Sequence, residues 1–168
     1  MKARNSIKVL ITLFLLGGLS SKAQLALNNN GSLVLKIDSG LVVHSDGDFA
    51  NMNTSSLVFE SLGEPHLEFD GDFINGTSAT LTAGLGLLDL TGSASQDLDF
   101  GGDDLYNLEI NNAAGGIFTR PATVNNEVQF ATGDFTTTDA NLLTFETGAN
   151  AAGATDASHV NGPVAKNF

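Results

Sequence analysis

The chain has 168 residues, no cysteine and a formal net charge of −12. Without cysteine it has no disulfides, thiolate metal sites or thiol catalysis, so its stability must come from burial and hydrogen bonding. Seven cations against 19 acids leave little to neutralise phosphates, which argues against nucleic-acid partners. Nineteen glycines and only three prolines suit short strands joined by tight turns.

The N-terminus has the pattern of a secretory signal peptide. Lys2, Arg4 and Lys8 precede the apolar run from Val9 to Leu16, and small residues then lead to Ala23. A charged start, a short apolar run and a small-x-small site predict a signal peptide over residues 1–23, cleaved after Ala23. The run is short for a membrane span, so no membrane insertion is expected after cleavage. Cleavage also removes Lys22, so four cations are lost and the net charge moves from −12 to −16.

The mature chain alternates apolar and polar residues with a period of two. Such a period is typical of strands with one buried face, and no sustained helical period replaces it. Turn-forming residues separate the patterns at intervals of roughly ten residues. The patterns lie at 33–37, 57–59, 67–69, 88–90, 98–100, 108–110, 128–130 and 143–145. They predict an all-β fold.

A repeat indicates how these strands are arranged. The hexapeptide Asp-Gly-Asp-Phe-Ala-Asn at 46–51 returns as Asp-Gly-Asp-Phe-Ile-Asn at 70–75, and a third Gly-Asp-Phe stands at 133–135. Repeats of roughly 20–30 residues that carry two or three strands each are the sequence form of a solenoid, in which each coil covers the apolar face of the next. The interval from the second copy to the third is not a multiple of the first interval, so at least one coil must differ in length or a turn must carry an insertion.

The prediction is therefore a right-handed parallel β-helix, or β-solenoid, of about six coils over residues 24–168. Phe49 is expected to lie over Phe73, and Leu57 over Leu81, about 4.8 Å apart. An antiparallel β-sandwich is the alternative, because it also explains the regular spacing of the strands. It does not require repeated hexapeptides.

Two segments resemble a family of exported surface proteins. Leu-Thr-Gly-Ser-Ala-Ser-Gln-Asp-Leu at 90–98, followed by Leu-Tyr-Asn-Leu-Glu-Ile-Asn-Asn at 105–112, is similar to a glycine-rich repeat in adhesin-like cargo of the bacterial type IX secretion system. Further segments with the same pattern lie at 40–51, 132–135 with 141–145, and 159–166. The resemblance implies a β-solenoid stalk, secreted or displayed on the surface of a bacterium. Such proteins continue into further domains and a C-terminal sorting domain, so this chain is expected to be an N-terminal fragment.

The repeated aspartates are the candidate metal ligands. Stacking Asp46 and Asp48 over Asp70 and Asp72 would place four carboxylates at one corner of the solenoid, and hard oxygen ligands beside a glycine turn suit calcium. Turn aspartates that bond their own backbone are the simpler alternative. The third copy has Thr132 in place of the first aspartate.

Catalytic candidates are few. Adjacent Asp103 and Asp104 resemble the paired acids of polysaccharide hydrolases, but neighbours on a strand point to opposite faces. His44, His66 and His159 have no metal or triad spacing and are interpreted as surface or turn residues. We find no acid–base pair to name, so no enzymatic activity is expected.

The function expected from the sequence is structural or adhesive. The alternative is a carbohydrate-binding or polysaccharide-processing β-helix that uses the acidic corner with calcium. No other cofactor is expected. The expected partner is a surface ligand, either a carbohydrate or another cell-surface protein.

Overall fold

A computed structural model of the protein describes residues 26–168, which form 18 strands and no helix. The signal peptide predicted over residues 1–23 lies outside the described residues. The strands are β1 (Leu27–Asn29), β2 (Val34–Ile37), β3 (Val42–Ser45), β4 (Phe49–Asn51), β5 (Ser56–Phe59), β6 (His66–Phe69), β7 (Phe73–Asn75), β8 (Thr80–Thr82), β9 (Leu87–Leu90), β10 (Gln96–Asp99), β11 (Asp104–Asn111), β12 (Gly116–Phe118), β13 (Ala122–Thr132), β14 (Phe135–Thr136), β15 (Leu143–Phe145), β16 (Asn150–Ala152), β17 (Val160–Asn161) and β18 (Val164–Lys166). Among these residues, none forms a helix able to cross a membrane.

The strands build three parallel sheets that run along the stack. One sheet has the order β1-β4-β7-β10-β12-β14-β17, a second has the order β18-β15-β13-β11-β9-β6-β3 with β16 also on β13, and a third is β2-β5-β8. Every pairing between these strands is parallel. The β-solenoid is therefore confirmed, and the antiparallel sandwich is excluded. The first sheet takes one strand from each coil, so there are about seven coils instead of the expected six.

The extra coil fits because the coils shorten in the middle of the stack. The sequence separation between paired residues measures the length of a coil. It falls from the pair Phe49 and Phe73 to the pair Leu98 and Phe118, and again to the pair Gly116 and Phe135. The three-stranded sheet ends at β8, and its side of the stack is continued by the first residues of the long strands β11 and β13. Each long strand covers two sides of the stack, because a register shift within the strand replaces a separate turn. A coil that contains such a strand therefore needs fewer residues.

Aromatic rings stack along the core. The ring centroids of Phe49 and Phe73 lie 5.1 Å apart, those of Phe73 and Phe100 5.0 Å, those of Phe100 and Phe118 6.0 Å, and those of Phe118 and Phe135 5.3 Å. All five side chains are buried. Each contributes about 2 kcal/mol or more through burial. The prediction that Phe49 lies over Phe73 is confirmed.

The other predicted pair is confirmed as well, since Leu57 pairs with Leu81. The third Gly-Asp-Phe copy is displaced, because Phe135 pairs with Gly116 and so lies two residues out of line with Phe118. A shift of two residues keeps a side chain on the same face of a strand, so Phe135 still points into the core. That displacement and the short coils account for the uneven interval between the second and third copies.

A line of buried amides crosses the first coils. Asn29 Nδ2 donates to Asn51 Oδ1 at 2.8 Å, and Asn51 Nδ2 donates to Asn75 Oδ1 at 2.7 Å. Asn75 Nδ2 then donates to the Asp103 carboxylate at 3.0 Å. Both Asn51 and Asn75 are fully buried. This asparagine ladder satisfies buried polar groups from one coil to the next.

Candidate functional site

The four predicted calcium ligands separate into two pairs. Asp46 and Asp70 follow paired strands, and their carboxylates lie within 4.8 Å of each other, together with a ring nitrogen of His44. Asp48 and Asp72 each accept a hydrogen bond from the backbone of the next coil. Asp48 Oδ1 accepts from the Asp72 amide at 3.0 Å, and Asp72 Oδ1 accepts from the Asp97 amide at 2.8 Å. Calcium binding by these four residues remains a prediction.

The same backbone contact recurs in the third Gly-Asp-Phe copy. Asp134 Oδ1 accepts from the His159 amide at 3.0 Å. The aspartate of Gly-Asp-Phe thus joins successive coils through a carboxylate-to-amide hydrogen bond. Such a charge-assisted bond is stronger than a neutral one.

His44 is the centre of an exposed group of acids. Its Nε2 lies 3.0 Å from Asp46 Oδ1 and 3.8 Å from Asp70 Oδ2, and its Nδ1 lies 3.1 Å from Glu68 Oε2. The strand register explains this, because His44 pairs with Glu68 across β3 and β6. The surface interpretation of His44 agrees with its exposure, but the sequence reasoning missed its acidic neighbours.

His66 belongs to a second, less exposed group. Its Nε2 lies 3.6 Å from Asp89 Oδ2, and its Nδ1 lies 3.9 Å from Glu68 Oε1. The neighbouring Asp89 carboxylate raises the pKa of His66, while burial acts in the opposite direction. Burial, followed by the charge of Asp89, raises the pKa of Glu109. Asp89 pairs with Glu68 on one side and with Glu109 on the other, so three acids form a row across the sheet.

A search for polar residues separated by the interval of the hexapeptide repeat would have found the His44 group but not the His66 group. His44 and Glu68 are separated by the same interval as Asn51 and Asn75 of the hexapeptide repeat, whereas Glu68 and Asp89 belong to a shorter coil. The paired residues differ in type, so self-comparison of the sequence does not align them. None of His44, Glu68 and Asp89 lies in a recognisable motif of its own.

The paired acids Asp103 and Asp104 do not form a joint site. Asp103 Oδ2 accepts from Asn75 Nδ2 at 3.0 Å and from the Leu81 amide at 2.6 Å, whereas Asp104 is exposed at the start of β11. Asp103 therefore ends the asparagine ladder. Arg120 Nε lies 3.3 Å from Asp99 Oδ2.

One surface depression is lined mostly by glycine, alanine and other small residues. It has a volume of about 350 Å³ and lies where β12 meets β14 and β17. Among the described residues that line it, Asp134 is the only charged one. It therefore brings no acid–base pair together.

Comparison of the chain with protein-family models, with curated proteins and with solved structures finds no match.

Proposed function

We propose that the chain is an exported structural or adhesive β-solenoid of a bacterial cell surface, without catalytic activity. The observation that carries this proposal is that the carboxylate of Asp103, the strongest catalytic candidate, has a structural role. Its carboxylate accepts hydrogen bonds from Asn75 and from the Leu81 backbone, and so joins coils. A general acid or base needs to be free to exchange its proton with a substrate.

The shape supports a role in display. About seven coils at roughly 4.8 Å each make a stack on the order of 30 Å long, with strands that present every second side chain to solvent. Such extended faces are the binding surfaces of repeat proteins. The partner we propose is a surface carbohydrate or another cell-surface protein.

The relation to type IX secretion cargo rests on the sequence pattern. Within that pattern, Asn112 Nδ2 donates to Gln96 Oε1 at 2.7 Å, and Gln96 Nε2 donates to the Phe69 carbonyl at 2.9 Å. The hydrogen bond between Gln96 and Asn112 explains why the glutamine and the final asparagine of the repeat occur together. This is the expected property of a structural repeat.

Export is tested by expressing the untagged chain in a bacterium and determining the N-terminal residue of the extracytoplasmic product by mass spectrometry. The expected product begins at Gln24. A matched Leu15→Arg variant, which interrupts the apolar run, should remain unprocessed. Recovery of the wild-type chain in the cytoplasm with residues 1–23 intact would contradict export.

The absence of catalysis is tested on a panel of polysaccharides by measuring the release of reducing ends. Wild type should release no more than a buffer blank, while retention on an insoluble polysaccharide or on cell-wall material would support adhesion. Asp103→Asn is the informative variant, because an amide oxygen can still accept the two hydrogen bonds. Release by wild type that Asp103→Asn abolishes would refute the proposal.

A calcium-bearing, carbohydrate-binding solenoid is the second candidate. The observation that favours it is the convergence of the Asp46 and Asp70 carboxylates within 4.8 Å. It predicts that millimolar calcium raises the melting temperature by several degrees and that Asp46→Asn removes the effect. Asp156→Asn, at an exposed turn, is the control. A wild-type melting curve that calcium does not move would discard this candidate.

A further inference from the structure

The outward face of the eight-stranded sheet brings a histidine and two acids together. Glu68 on β6 pairs directly with Asp89 on β9. His66 lies two residues before Glu68, and side chains two apart on a strand share a face. One ligand atom from each of the three residues lies within 4.8 Å of the others.

Asp89 is unusual within this group because it is only 6 % exposed. Its Oδ1 has no hydrogen-bond partner among the described residues, and neither does His66 Nε2. The 3.6 Å between His66 Nε2 and Asp89 Oδ2 is too long for a hydrogen bond. One oxygen of this buried carboxylate has no donor and the other has only the long contact with His66, so a bound cation would offset the cost of burying it.

We propose that His66, Glu68 and Asp89 bind a divalent transition-metal ion and that zinc is its best chemical match. Zinc–nitrogen and zinc–oxygen bonds of about 2.0–2.2 Å in a tetrahedron place neighbouring ligand atoms roughly 3.4 Å apart. The His66 Nε2 to Asp89 Oδ2 distance of 3.6 Å is close to that value. Glu68 Oε1 lies 3.9 Å from Nδ1 of the same ring, so this carboxylate would turn toward Nε2 to supply the third ligand atom, and water would complete the tetrahedron.

Burial distinguishes this site from the predicted calcium corner, where one histidine and two acids also meet: Asp89 is buried, whereas His44 and Asp46 are exposed. Calcium takes six to eight oxygen ligands, whereas a neutral imidazole suits zinc and its neighbours in the first transition row. Glu109 lies next to Asp89 in the strand register and adds a further negative charge beside the site. A bound cation would reduce the repulsion within this row of acids.

Titration calorimetry of the tag-free full chain, treated with EDTA and then dialysed, provides the test. Zinc chloride is expected to bind with a stoichiometry of one. His66→Gln and Asp89→Asn should each weaken binding by at least about tenfold, since the loss of even an outer-shell partner has that effect. Circular dichroism of each variant verifies the fold, and Co²⁺ should give visible absorption bands in wild type that His66→Gln abolishes.

His159→Gln and His44→Gln are the matched controls. His159 lies 3.2 Å from Asp134, outside the row of acids, so its replacement should leave zinc affinity unchanged. His44 shares Glu68 with the proposed site but supplies no ligand to it. The proposal is overturned if wild type shows no heat of zinc binding, if folded His66→Gln and Asp89→Asn bind as tightly as wild type, or if only His44→Gln loses binding.

Discussion

At the scale of single residues, buried amides determine how one coil meets the next. Asn51 is fully buried, yet each atom of its amide has a partner. Its Oδ1 accepts from Asn29 and from the Ser55 hydroxyl, and its Nδ2 donates to Asn75 and to the Thr80 carbonyl. Because both neighbours in the ladder bond to it, Asn51 contributes more to the stability of the fold than a single hydrogen bond would.

Asn51→Ala is therefore expected to lower the free energy of unfolding by about 3 kcal/mol, since it leaves buried donors and acceptors unpaired on both sides. Urea unfolding followed by circular dichroism measures this. Asn28→Ala is the control, because Asn28 is exposed on the same kind of strand. Equal losses in the two variants would show that the ladder adds nothing specific.

Glu109 provides a prediction about pH. Its pKa is raised by burial and by Asp89, so the folded state binds this proton more tightly than the unfolded state does. Stability is then lost as the pH rises from the unfolded pKa through the folded pKa. Glu109→Gln should consequently raise the melting temperature near neutral pH and leave it nearly unchanged at a pH below the unfolded pKa, because glutamine imitates the protonated acid.

Melting curves in EDTA at the two pH values measure this difference. Glu64→Gln, at an exposed position, is the control: it shows how much of the change in melting temperature comes from removing one surface charge. A Glu109→Gln variant that melts below wild type near neutral pH would show that the carboxylate stabilises the fold, contrary to this prediction.

At the scale of elements, close backbone approach at turns determines where glycine is needed. Gly133, at φ +93°, joins β13 to β14, and a Cβ placed there would collide with the Asn112 carbonyl oxygen of the preceding coil. Gly102 has nearly the same φ, +92°, but nothing lies within 4 Å of the corresponding position. The two glycines share a backbone conformation and differ only in crowding.

Gly102→Ala should cost about 1 kcal/mol, the penalty of a left-handed conformation for alanine. Gly133→Ala should cost several times more, because the turn must also move away from Asn112. Denaturant unfolding of both variants measures the difference. Similar losses would mean that the coils are less closely stacked at β14 than the structure indicates.

The elements also show what the sequence can and cannot predict. The coil register was predictable because Phe49 and Phe73 stand in nearly identical hexapeptides. Farther along, the ring below Phe73 comes from Phe100, two residues beyond its paired residue Leu98, so the core is filled without repetition of the sequence. The His66 cluster was missed for a similar reason, because its residues differ in type and belong to coils of different length.

At the scale of the whole molecule, the number of sides determines the length of a coil. The longer coils are those in which each of three sides has a strand of its own, with 24 residues between Phe49 and Phe73 and 25 between Phe135 and Val160. The coils built on β11 and β13 are shorter, because one long strand there covers two sides. A single period taken from the two hexapeptides therefore predicted about six coils where about seven form. Stacking tolerates this change because parallel pairing and inward-facing apolar residues continue along the long sheets.

The central claim is that like positions of successive coils stack in parallel register, and paired cysteines in this cysteine-free chain test it most directly. Ser56 pairs with Thr80, and their hydroxyls lie 2.8 Å apart. Ser56→Cys with Thr80→Cys should form a disulfide under mild oxidation, since paired Cα atoms fall within the range of about 4.4–6.8 Å that a disulfide spans. Ser56→Cys with Thr82→Cys, out of register by two residues, should not. Efficient cross-linking of the second pair, or of neither pair in folded protein, would contradict the stacked arrangement.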